Sequence, residues 1–179
     1  MRGRENQTPV PRPHIAALTQ LSEHIGVACC VTLALLALSL APASHAATTQ
    51  SQVEQSLIAA VNEVRADHNL RPVRIDPTLV VAARAHTTAL LRTNVFEHGS
   101  FAERIALHGA RGPAFGENLA WGTGRLASAR SIVNAWMHSP GHRANLLRPG
   151  WNRIGIGALK GRFLGRTGAV VVTADFAGR

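Results

Sequence analysis

The chain changes its hydrophobic period once, and that change limits its fold more than any other feature. Val53, Leu57, Ile58, Val61 and Val64 share one face of a helix predicted over about 53–68, which Asn69 is suited to end. Asp76-Pro77 places a capping side chain before proline and opens a second helix. This helix carries Leu79, Val80, Ala83, His86, Leu90 and Leu91 as far as Arg92. Ser100-Phe101-Ala102-Glu103 reads as a capping box for a shorter helix that Gly109 closes, and Ile132, Val133, Trp136 and Met137 mark another over 127–137. The tail then alternates: 154–158 and 169–176 read as strands, joined as a hairpin through a glycine-rich stretch. Helices first and strands last predict an α+β chain with an antiparallel sheet packed by helices. Gly155 and Gly157 precede no helix, so they do not form a dinucleotide-binding turn.

Before the first helix lies a different kind of segment. Arg2, Arg4 and Arg12 precede an apolar run over 25–40, followed by the small residues of Ala41-Pro42-Ala43-Ser44-His45-Ala46. This is the layout of a secretory signal peptide over 1–46, with cleavage after Ala46 and a flexible lead-in over 47–52. An uncleaved anchor is the alternative, although the run is shorter than the roughly 20 residues a spanning helix needs. Both cysteines, Cys29 and Cys30, fall inside the leader, so the remaining chain has no disulfide and no cysteine nucleophile and rests on its core. The domain is expected over 53–179, as a secreted or periplasmic monomer that touches membrane only through the leader.

Charge says less. Setting aside the three arginines and two glutamates of the leader leaves 16 basic against 8 acidic side chains, and Lys160 is the one lysine. Such a surface suits an anionic lipid or cell-wall polymer, or simply solvation. Without tyrosine, and without aromatic residues interleaved with basic ones, nucleic-acid binding is not expected.

Three residues stand at positions read as loops or turns between elements, where site residues concentrate. His98 follows the second helix, Glu117 lies within Gly116–Gly122, and His142 follows the helix-breaking Pro140-Gly141. His86 lies on an apolar helical face and reads as a core or cleft-wall residue, as do Trp121, Trp136 and Trp151. Ser139 reads as the cap of the turn that Pro140 begins.

Phe96-Glu97-His98, Gly116-Glu117-Asn118 and Ser139-Pro140-Gly141-His142-Arg143 together resemble the CAP superfamily of cysteine-rich secretory, antigen 5 and pathogenesis-related proteins, in its bacterial form without disulfides. The resemblance implies an α-β-α sandwich with a central antiparallel sheet, and a cleft lined by His98, Glu117 and His142. It also implies that His98 and His142 could hold zinc or another divalent ion. Animal and plant members usually have a second cleft glutamate where this chain has Ser139, so at most three of the four residues carry over. A binding module for a lipid, glycan or protein is the leading expectation. A hydrolase, using either a metal-bound water or Ser139, His142 and Glu117, is the competitor, and no Gly-x-Ser-x-Gly or His-Glu-x-x-His motif supports it. A hydrogen-bonded cluster that merely organises the cleft is the third possibility.

Overall fold

The computed structural model describes residues 50–178; the leader, its cleavage site and the start of the lead-in lie outside these residues. Helix α1 spans Gln52–Asp67, taking in the last lead-in residue. A capping box opens it: Glu54 N–H donates to Ser51 Oγ (3.3 Å), and Ser51 N–H donates to Glu54 Oε2 (2.7 Å). Asn69 ends it at φ 56°, while the Leu70 N–H reaches back to the Arg65 carbonyl at 2.9 Å. Helix α2 (Pro77–Thr93) is capped by Asp76, whose Oδ1 accepts from the Thr78 N–H at 2.9 Å. Helix α3 (Phe101–Leu107) closes at Gly109 as predicted, but the capping box expected there does not form. The ψ of Ser100 is 64°, well short of the extended value of a capping residue, and its hydroxyl reaches no helix N–H.

Two further helices differ from expectation at their starts. A 3-10 turn over Gly124–Ala127 precedes α4 (Ala129–Met137), so that helix begins two residues late, at the Ser128 cap. Pro140 does not merely stop α4; it is the first residue of a new helix, α5 (Pro140–Leu146). Proline is favoured there because its missing N–H would have no intrahelical partner.

Four strands form one sheet in the order β1-β3-β4-β2: β1 (Arg74–Ile75), β2 (Phe115–Gly122), β3 (Trp151–Phe163) and β4 (Arg166–Gly178). The two expected strands are longer than their apolar cores suggested and turn through Leu164-Gly165, both at positive φ (46° and 78°), as the tightest hairpins require. The Leu164 N–H is held by Asn94 Oδ1 at 2.6 Å. The Gly116–Gly122 segment, expected to be irregular, is strand β2, paired antiparallel with β4 from Phe115↔Ala177 to Gly122↔Val170. The sheet is antiparallel except at β1, whose two residues run parallel to β3.

Alternation along the strands sorts two helical layers. Ile154, Ile156, Val172, Ala174 and Phe176 pack against Leu57, Val61, Trp136 and Leu146 of α1, α4 and α5. Leu119, Phe163 and Val171 meet Leu90 of α2 on the opposite face, and Ala177 meets Leu79 and Ile105. Gly155 and Gly157 also point toward α2. A Cβ on Gly155 would lie 2.1 Å from the Leu79 carbonyl carbon, and one on Gly157 would lie 2.6 Å from that of Ala83. These glycines let the helix backbone rest directly on the sheet. On the other side, the fully buried Arg65 donates to the carbonyls of Arg71 (2.9 Å), Leu146 (2.7 Å), Arg148 (3.2 Å) and Trp151 (3.3 Å). It ties α1 to the end of α5 and the start of β3.

Gly155→Ala should therefore destabilise the protein by at least about 2 kcal/mol in urea unfolding, because α2 must lift from the sheet. Gly141→Ala, in a helix with nothing within 4 Å of the new methyl, should be neutral or stabilising by roughly 0.5 kcal/mol. Equal effects would show that the close approach of α2 is not what demands glycine.

Candidate functional site

Because β2 alternates, Glu117 points to the α2–α3 side of the sheet while Asn118 points to α5. Glu117 is 6% exposed and both its oxygens are engaged. His98, from the loop after α2, donates Nδ1–H to Oε1 at 2.6 Å, and Arg104 of α3 forms a short ion pair with Oε2. Arg104 also donates to the His98 carbonyl at 3.3 Å, so one side chain fixes both the carboxylate and the loop that carries the imidazole. His86 of α2 lies 3.8 Å from Oε2, and its Nε2 is 3.0 Å from the Glu97 carbonyl. Asp175, the register partner of Glu117 on β4, is fully buried, with Oδ1 3.6 Å from Arg104 Nη2.

His142 approaches from the other layer, on the first turn of α5. Asn118 donates to its carbonyl at 3.0 Å, and Asn145 donates to the Glu117 carbonyl (2.9 Å) and to Asn118 Oδ1 (3.0 Å). This amide ladder pins α5 to β2. The His142 ring is half-buried, and burial, followed by the nearby charge of His98, holds it below its ordinary range. Among the described residues, no hydrogen bond joins that ring to Glu117, His98 or Ser139. The Ser139 hydroxyl makes no cap bond either, although the residue occupies the capping position of α5.

His98 and Glu117 thus meet directly, while His142 is brought near them around the edge strand. Only His98 lies in a loop; Glu117 is on a strand and His142 on a helix. A strand residue facing a covered layer cannot swing, so Glu117 is a fixed acceptor. His86 is a buried wall residue, as expected, and Trp136 and Trp151 are core residues. Arg104 and Asp175 were not foreseen. The usable signal was Asp175, the one charged residue in the apolar run 169–176, where an acid is costly without a partner.

The electrostatics follow from enclosure. Burial raises the proton affinity of the Glu117–Asp175 pair above the ordinary carboxylate range against the opposing pull of Arg104, with the Glu117 charge pushing Asp175 up further. Burial, then the charge of Arg104, drops His86 to about 4. Among the described residues, no three His, Cys, Asp or Glu side chains converge as a metal-holding group. The carboxylate beside His98 already carries a guanidinium, which leaves the two imidazoles as donors, too few for a protein-closed divalent site. A groove of about 500 Å³ opens between α2 and α3, walled by His86, Leu90, Arg104 and Leu107.

The cysteine-rich secretory protein family (CAP) matches residues 58–176. The uncharacterized protein YkwD of Bacillus subtilis is 33% identical over 119 residues, which cover 64% of this chain and 45% of YkwD. The chain therefore spans less than half of that relative's length. Among solved structures, an extracellular protein of Bacillus anthracis containing an SCP domain aligns with TM-score 0.59 and 23% identity, covering 70% of this chain and 40% of its own. An outer surface protein of Borrelia burgdorferi aligns with TM-score 0.59 and 24% identity, covering 73% and 97%.

His86 supplies a pH test. The unfolded chain protonates this ring near 6.5, the folded chain only near 4. Its stabilisation is complete above pH 6.5 and is lost as pH falls through that window, by up to about 3 kcal/mol. Glu117 and Asp175 work in the opposite sense: the folded state binds their proton more tightly, a contribution present in acid and lost as pH rises past the ordinary carboxylate range. Comparison with His86→Gln isolates the histidine. Between pH 7 and 4.5 the wild type should lose more unfolding free energy than the variant, and parallel curves would refute the assignment.

Proposed function

The chain belongs to the cysteine-rich secretory protein (CAP) family, and we propose that it is an exported binding module that holds a lipid, glycan or protein partner through its His98–Glu117 face without turning it over. The observation that carries this reading is the double engagement of Glu117 by His98 and Arg104. A carboxylate held by an N–H and a guanidinium is a weakened general base, and no hydrogen bond activates the Ser139 hydroxyl. What remains open is an imidazole edge: the His98 side chain is 58% exposed. The groove between α2 and α3 adds room for a partner on the same side of the sheet. Export is supported by the leader and by fold relatives described as extracellular or outer surface proteins. Among the described residues, no helix is long and apolar enough to cross a membrane.

One observation favours a second reading, a basic surface for anionic lipid or wall polymer. Arg71, Arg74 and Arg153 line one groove of about 380 Å³ beside β1. Binding there would weaken steeply with salt and would survive loss of the cleft histidines.

The test is binding of the protein to isolated peptidoglycan and to neutral and anionic vesicles, with and without His98→Ala/His142→Ala, while monitoring release of reducing ends, amines and fatty acid. Saturable binding at least tenfold weaker in the double variant, unchanged by EDTA and without product, is expected. Turnover of any of these polymers or lipids that is lost in His142→Ala would replace the binding module with a hydrolase.

A further inference from the structure

Two carboxyl groups face one guanidinium in the floor of this site, and the charges do not balance. Glu117 and Asp175 are register partners on β2 and β4, with side chains on the same face of the sheet. Arg104 is the cation shared between them, paired to Glu117 and 3.6 Å from Asp175. The other ionisable groups packed around the pair cannot supply a second positive charge to Asp175. His86 faces the Glu97 carbonyl and Glu117, and His98 binds the far oxygen of Glu117. Thr87 of α2 and Thr173 of β4, whose hydroxyls lie 2.9 Å apart, are neutral.

Asp175 is 0% exposed, and as a carboxylate both its oxygens lack any hydrogen-bond donor. An ionised carboxylate in that position would be desolvated, without a hydrogen-bond donor and repelled by Glu117, with only a shared guanidinium at 3.6 Å to offset this, a combination proteins avoid by binding a proton. With one proton between the two groups, these register partners on one face can join in a charge-assisted O–H···O hydrogen bond. Glu117 holds Arg104 in close contact and takes an N–H from His98, whereas Asp175 has only the more distant Arg104 at 3.6 Å and no hydrogen-bond donor, so the proton resides on Asp175.

We propose that Asp175 is a positioning residue of the cleft: a neutral carboxyl that donates its hydrogen to Glu117, which stays ionised and holds His98 with Nδ1–H turned inward. In the neutral ring this leaves the Nε2 lone pair facing outward, so the exposed edge of His98 is an acceptor. A partner would meet it with a hydroxyl or ammonium donor rather than with a carboxylate or phosphate. The inference rests on the binding reading for its consequence, but the proton on Asp175 does not.

The experiment is NMR of the ligand-free full chain labelled at aspartate side-chain carbons and histidine ring nitrogens. The Asp175 carboxyl carbon should keep the shift of a neutral acid from pH 5 to pH 7, and the His98 nitrogens should report the Nδ1–H tautomer. A carboxylate shift for Asp175 at pH 6 overturns the proposal. Asp175→Asn, which keeps the shape and supplies an N–H donor to Glu117, should retain the His98 tautomer, whereas Glu117→Gln should lose it. Loss of the tautomer in folded Asp175→Asn would also overturn it. Failure to find a partner would leave these signals unchanged and would count only against the binding module.

Discussion

Helix α2 lies against the sheet with no side chains between the two backbones at Gly155 and Gly157, and the arrangement of the site depends on that contact. The Thr87 hydroxyl fastens the approach, 3.1 Å from the Gly157 carbonyl and 2.9 Å from the Thr173 hydroxyl. At this height His86, one residue earlier on α2, reaches the level of the Glu117 carboxylate. The loop leaving α2 then delivers His98 to the other oxygen of Glu117. A helix held one side chain farther away would leave both imidazoles out of range of the carboxylate.

From this packing follows the division of labour between the two faces of β2. Glu117 turns toward the close-packed layer and becomes enclosed, where desolvation governs its protonation. Asn118 turns toward α5 and forms amide hydrogen bonds that do not depend on pH. His142 is therefore placed by neutral contacts to its own backbone, whereas His98 is placed by a carboxylate acting on its ring. The two histidines are positioned by different forces.

Much of this was legible in the residues. Asp76-Pro77, Asn69 and Gly109 marked helix ends through local chemistry, and alternation in the tail marked β3 and β4. Two of the three family motifs carry His98 and Glu117, which meet directly. Strand β2 was hidden because its residues serve two helical layers and its sequence begins Phe-Gly-Glu-Asn, with no apolar alternation to read. The capping box was expected at Ser100 and formed at Ser51, since the pattern is shared and only backbone geometry separates them. Arg104 was invisible for a different reason: nothing local shows that a residue of a short helix will meet a strand that begins eleven positions later. Asp175 could have been noticed as an acid in an apolar strand, but its partner is 58 positions away in the chain.

Arg65 has a consequence for how the molecule responds to its surroundings. Its guanidinium is buried among carbonyl oxygens, and although burial lowers its proton affinity, a guanidinium starts far above neutrality. The clamp that joins α1, α5 and β3 therefore keeps its charge and its hydrogen bonds through the acid and neutral range. The cluster across the sheet, built from histidines and carboxyls, does not share that indifference. Acidification would change the charge of that cluster while the frame around Arg65 kept its own, so the pH-sensitive and pH-indifferent contacts occupy opposite sides of one four-stranded sheet.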